Sequence, residues 1–144
     1  MSSPMYTAVL PTIIATWEAL VPTFDGQRTF RFAEDLDITA GASGHRCFEW
    51  TDFEGTSEHA HGPDCKMVDY KWAAELWLDH RGFSGTEATR RALEDGHQLR
   101  SAIEDLAGTW PNGVREVYCE GVKTETIDDL KRVRISLRAT VEET

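Results

Sequence analysis

The sequence lacks the features that mark membrane and secreted proteins. None of its apolar runs reaches the roughly 18–20 residues that a membrane span needs. The apolar N-terminal segment contains no basic residue before Arg28, so we expect no signal peptide. The three cysteines, Cys47, Cys65 and Cys119, are few and odd in number, which favours reduced thiols over a disulfide framework.

Basic residues are also scarce. The chain has 15 Lys and Arg against 25 Asp and Glu, for a formal net charge of −10. Because phosphate repels such a chain, we do not expect it to hold nucleic acid tightly. A surface that DNA passes without specific binding is compatible with this charge.

Catalytic motifs are missing. There is no G-x-S-x-G, no phosphate-cradling glycine loop and no H-E-x-x-H. Adjacent acids such as Glu104 and Asp105 would not face each other on a helix. We therefore expect neither an enzyme nor a bound cofactor.

What is present is enough apolar sequence for one globular domain over residues 1–144, at 40% hydrophobic and 10% aromatic content. Hydrophobic periodicity predicts the order α-β-β-β-α-β-β. The predicted helices cover residues 5–21 and 84–107, and the predicted strands cover 28–35, 45–53, 69–79, 114–121 and 131–142. Pro11 places the start of the regular first helix near Leu10, and Val21 belongs to its predicted apolar stripe. Ser84 has capping-box spacing with Glu87 at the start of the second helix, and Thr86 is a competing N-cap. Segregated helices and strands predict an α+β fold with a mostly antiparallel sheet packed by two helices.

The predicted core draws apolar residues from most of these elements. Its members are Trp17, Leu20, Phe30, Trp72, Leu76, Leu99, Ile103, Ile135 and Leu137. Between the second and third strands, residues 54–68 are polar and contain Gly55, Gly62 and Pro63, which predicts a long loop used for function.

A histidine and cysteine group lies in and before this loop. Its members are His45, Cys47, His59, His61 and Cys65. Zinc sites usually space paired ligands by two to four residues, and the H-x-C and H-x-H pairs here do not. We interpret the loop as a polar contact segment without metal, and a zinc-binding module remains the alternative.

The last predicted strand, "KRVRISLRATVE", alternates most regularly. Its apolar residues enter the core, while Arg132, Arg134 and Arg138 share the other face. That face is either solvated or an interface between subunits, where arginine is favoured.

The order of elements resembles that of the tail terminator (tail completion) proteins of tailed bacteriophages. The resemblance rests on an N-terminal helix "TAVLPTIIATWEAL", a central helix "TEATRRALEDGHQLRSAIEDLAG" and a closing strand "RVRISLRATVEE". It implies a virion protein, made in the host cytoplasm, whose hexameric ring caps the tail tube and joins it to the head. Its partners would be copies of itself, the tail tube protein and neck proteins. Another head–tail connector is an alternative that the sequence does not separate from a terminator.

Overall fold

The computed structural model describes residues 3–24, 26–33, 46–58, 66–79, 84–127 and 130–143. A π-helical turn, Met5–Val9, leads into helix α1, Leu10–Glu18, and helix α2 is Gly85–Asp105. The strands are β1 (Phe30–Phe32), β2 (Arg46–Glu58), β3 (Lys66–Asp79), β4 (Val114–Ile127) and β5 (Leu130–Glu143). The predicted α+β class and element order are confirmed.

The five strands form one mixed sheet in the order β1-β2-β3-β5-β4. The short β1 runs parallel to β2, and the other three pairs are antiparallel. In antiparallel pairs, directly opposite residues share a face of the sheet. The register therefore assigns each described side chain to the face that carries the helices or to the face opposite, which we call the open face.

Proline sets both ends of α1. Pro11 lacks an N–H, so it is tolerated only in the first turn, and the regular helix begins at Leu10 as predicted. Just before it, the Leu10 N–H donates to the Met5 carbonyl, a wider π-helical bond. The helix ends at Glu18, and Val21 is 77% exposed, so its predicted place on the apolar stripe is wrong. Pro22 explains this, because it disfavours helical backbone at the residue before it.

Helix α2 begins where its capping signal predicts. The Ser84 hydroxyl accepts from the Glu87 N–H at 3.2 Å, which confirms Ser84 as the N-cap over its competitor Thr86. Farther along, a β-carbon on Gly96 would lie 2.7 Å from a methyl of Val122. Glycine there lets the helix approach β4 closely.

The core lies between the helices and one face of the sheet. Eight of the nine predicted core residues are at most 1% exposed, and the ninth, Leu20, is half-buried. The Trp17 indole N–H donates to the Leu99 carbonyl at 3.0 Å, which ties the two helices together.

The predicted loop over 54–68 is wrong at both ends, because β2 runs to Glu58 and β3 starts at Lys66. Residues 54–57 are exposed and polar although they belong to a strand. With both faces solvated, no hydrophobic alternation marks them. Residues 59–65 lie outside the described part. No helix in the described part is long and apolar enough to span a membrane.

Candidate interaction surface

The three arginines of β5 lie together on the open face. Between them, Val133, Ile135 and Leu137 point into the core at no more than 1% exposure. Both helices pack on that opposite face, so the alternation predicted from the sequence is confirmed. No described helix or strand covers the arginines, and they retain 25%, 28% and 42% exposure for Arg132, Arg134 and Arg138.

Each of these arginines has an acidic partner in its own chain. Arg132 bonds to Glu125, and Arg138 Nη1 lies 3.1 Å from a Glu120 oxygen. These acids come from β4, next to β5. The surface is therefore a network of ion pairs and not an unpaired basic row.

Arg134 is held from two sides. Its Nη1 donates to Glu75 Oε1 at 2.7 Å, and its Nη2 donates to Asp52 Oδ2 at 2.6 Å. Both bonds are charge-assisted, which makes them the strong class of hydrogen bond. The hydrogen bond to Asp52 is the largest cause that raises the pKa of the Arg134 guanidinium.

Glu75 is the centre of this network of ion pairs. It is 13% exposed, and its Oε1 also lies 3.8 Å from Nη1 of Arg132. Glu49 stands directly opposite it on β2. The pKa of Glu49 is raised, first by partial burial and then by the negative charge of Glu75. Glu49 on β2 and Glu75 on β3 therefore place negative charge between the arginines of β5 and the edge of the sheet formed by β1.

Aromatic rings flank two of the arginines. The Arg132 guanidinium lies 5.4 Å from the centre of a Trp77 ring, and Tyr118, 38% exposed, stands opposite Arg138. Trp, Tyr and Arg are the residue types enriched at the energetic centres of protein interfaces. The composition of the open face thus suits contact with another protein.

A bulge in β2 places Asp52 on this face. The register with β3 shifts between Thr51 and Glu54, and Asp52 has a φ of 57°. On the other side of the bulge, Phe53 stacks on Trp72 at 5.8 Å with an interplanar angle of 7°. Thr51 lies on the open face, so regular alternation would send Asp52 to the helix-bearing face; the bulge instead keeps Asp52 on the open face and turns Phe53 to the other.

Of the five candidate metal ligands, only Cys47 lies in the described part. It is half-buried next to Arg31 on β1, and burial is the larger cause that raises its thiol pKa. His45, His59, His61 and Cys65 lie outside the described residues. The described residues contain no group of three or more His, Cys, Asp or Glu arranged to hold a metal. Whether the loop binds metal stays a prediction.

Sequence reasoning missed a buried ion pair on the helix-bearing face. Arg46 Nη1 lies 2.5 Å from Asp95 Oδ1, with side-chain exposures of 6% and 0%. A signal was present, because Asp95 follows Ala92 and precedes Leu99 at helical spacing within the apolar stripe of α2. An acid in such a stripe needs a buried partner.

No family model and no curated protein matches the sequence. Among solved structures, the fold is similar to that of a chain in the virion of a native gene transfer agent particle. The two share 15% sequence identity with a TM-score of 0.50, and the match covers 94% of this chain and 85% of the other. At this identity the similarity shows a shared fold.

Proposed function

We propose that the protein is a structural component of a phage-like virion, and more specifically a tail terminator. In this role its subunits form a hexameric ring that caps the tail tube and joins it to the head. The observation that carries the proposal is the fold, which matches a chain of a gene transfer agent virion over 94% of this sequence. The order of helices and strands, the basis of the resemblance to tail terminators, is also that of the structure.

The surface chemistry supports assembly. A ring needs two different complementary patches on each subunit. The open face offers guanidinium and carboxylate groups beside aromatic rings, and the chain as a whole is acidic. A ring of subunits that each carry a net charge of −10 would let DNA pass without trapping it. The role is structural, so it requires neither catalysis nor a cofactor, and it places the protein in the virion neck after synthesis in the host cytoplasm.

The double substitution Arg134→Glu with Arg138→Glu tests this role in a particle-forming host. A matched control, Arg90→Glu with Arg100→Glu, reverses two exposed charges on α2, away from the open face. We expect only the first variant to yield particles with tails of abnormal length, with or without detached heads. Tails of normal length with detached heads would indicate a connector. Folded protein with normal, joined tails would refute the role of this surface.

A further inference from the structure

The two carboxylates that hold Arg134 differ in their exposure to water. Glu75, which accepts from Nη1, is 13% exposed, whereas Asp52, which accepts from Nη2, is 67% exposed. Water solvates and screens the exposed partner, so the bond to Asp52 is the easier of the two to exchange. Glu75, the less exposed partner, keeps the guanidinium in place whatever group bonds to Nη2, which we call the outer side of Arg134.

The backbone at Asp52 adopts an unfavourable conformation. Its φ of 57° is the only positive value for a non-glycine residue in the described part of the chain. Left-handed backbone crowds the β-carbon of an L-residue, and such strain concentrates at functional positions. The bulge that imposes it also sends the Asp52 carboxylate to Arg134 while Phe53 packs on the other face.

We propose that Asp52 is an internal placeholder, which occupies the outer side of Arg134 in the free subunit and yields to a carboxylate from a second copy of the chain during assembly. This inference rests on the proposed ring. A second copy can supply this carboxylate, because the chain has 25 acidic residues against 15 basic ones and its acids therefore outnumber its own cations. Exposed acids such as Asp105 and Glu116 have no ion pair in the described part.

The exchange has a consequence for the timing of assembly. One charge-assisted bond replaces another of the same kind, so Arg134 gains little when free subunits meet in dilute solution. Subunits gathered at high local concentration, as on a finished tube, exchange partners by mass action. The placeholder therefore restrains premature ring closure.

Asp52→Asn tests the placeholder, because Asn tolerates left-handed backbone as well as Asp does but lacks the charge. Glu54→Gln is the matched control, since Glu54 is an exposed acid two residues away on the same face of β2. Sedimentation velocity over a concentration series gives the half-association concentration of each purified protein. We expect Asp52→Asn to associate at a concentration about fivefold lower than wild type and Glu54→Gln. Adding Arg134→Glu to Asp52→Asn should abolish this gain.

The inference is overturned if Asp52→Asn associates no more readily than Glu54→Gln, including the case in which neither associates. That failure is separate from failure of the ring. The ring is judged by tail length and head joining in particles, whereas the placeholder is judged by association of purified protein.

Discussion

Arg46 of β2 and Asp95 of α2 form a buried ion pair that uses only half of each side chain. Their contact joins Nη1 to Oδ1 at 2.5 Å, while Arg46 Nη2 and Asp95 Oδ2 have no hydrogen-bond partner in the described part. Arg46 is also held by the Arg28 carbonyl, 2.8 Å from its Nε, and by the Phe30 ring at 3.8 Å. This contact fixes the N-terminal strands of the sheet against the central helix.

Burial dominates the electrostatics of this pair. It is the largest cause that raises the pKa of Asp95 to about 6, and it also lowers the pKa of Arg46. In each residue the attraction to the partner acts in the opposite direction and is the smaller effect. The pair is therefore more important for positioning β2 and α2 than for net stability.

Removing the arginine should leave the acid without a partner. Arg46→Met replaces the guanidinium side chain with an apolar one of similar length, so Asp95 becomes an unpaired buried group. We expect the free energy of unfolding at pH 8 to fall by about 3–5 kcal/mol, as measured by denaturant titration. The loss should shrink at pH 5, where Asp95 takes up a proton. A loss of equal size at both pH values would show that the charge on Asp95 does not matter.

The pKa of Asp95 also sets a pH dependence of stability. The pKa of about 6 in the folded protein exceeds the ordinary aspartate pKa of 3.8, so the stabilisation by Asp95 is fully present below pH 3.8 and is lost as pH rises through about 6. Relative to Asp95→Asn, wild type should lose on the order of 3 kcal/mol of unfolding free energy between pH 4 and pH 7. Parallel stability curves for the two proteins would contradict the raised pKa.

The apolar stripe of α2 gives a prediction for the core. Leu99 and Ile103 are 0% and 1% exposed, so truncating either to Ala should cost about 2–5 kcal/mol. Leu93 lies on the same helix at 54% exposure, and Leu93→Ala should change stability by about 0.5 kcal/mol or less. Thermal melts that fail to separate the core variants from this control would reject the packing of α2 on the sheet.

The loop with His59, His61 and Cys65 gives a prediction about metal. Because the spacing of its ligands is poor for zinc, we expect purified protein to contain no stoichiometric zinc in elemental analysis. A chelator should leave its circular dichroism spectrum unchanged. Bound zinc at one per chain, with unfolding on chelation, would establish the metal module instead.

The parts of the fold that sequence predicted are those with one buried face. Strand β5 was clear because Val133, Ile135 and Leu137 alternate with arginines, and α2 was clear because Ser84 caps an apolar stripe. The outer part of β2 is missed because its residues 54–57 are exposed and show no hydrophobic alternation. The start of β3 is missed although Met67 and Val68 are buried, because two adjacent apolar residues are too few to show a period.

The arginine row was predicted, but its partners were not. Glu75 and Asp52 lie 59 and 82 residues from Arg134 in the chain. Only the register between strands, together with the bulge at Asp52, brings them within hydrogen-bond distance. Sequence periodicity assigns a residue to a face of the sheet, but it does not tell which residues of other strands stand beside it.

The proposed function depends most on contact between the open face and a neighbouring subunit of the ring. Electron cryomicroscopy of particles purified from a host that produces this protein tests that directly at the junction of head and tail. We predict six copies closed around the tail tube, with Arg134 of each copy in contact with an acidic side chain of its neighbour. Particles that lack the protein, or a ring in which Arg132, Arg134 and Arg138 all face solvent, would contradict the proposed function.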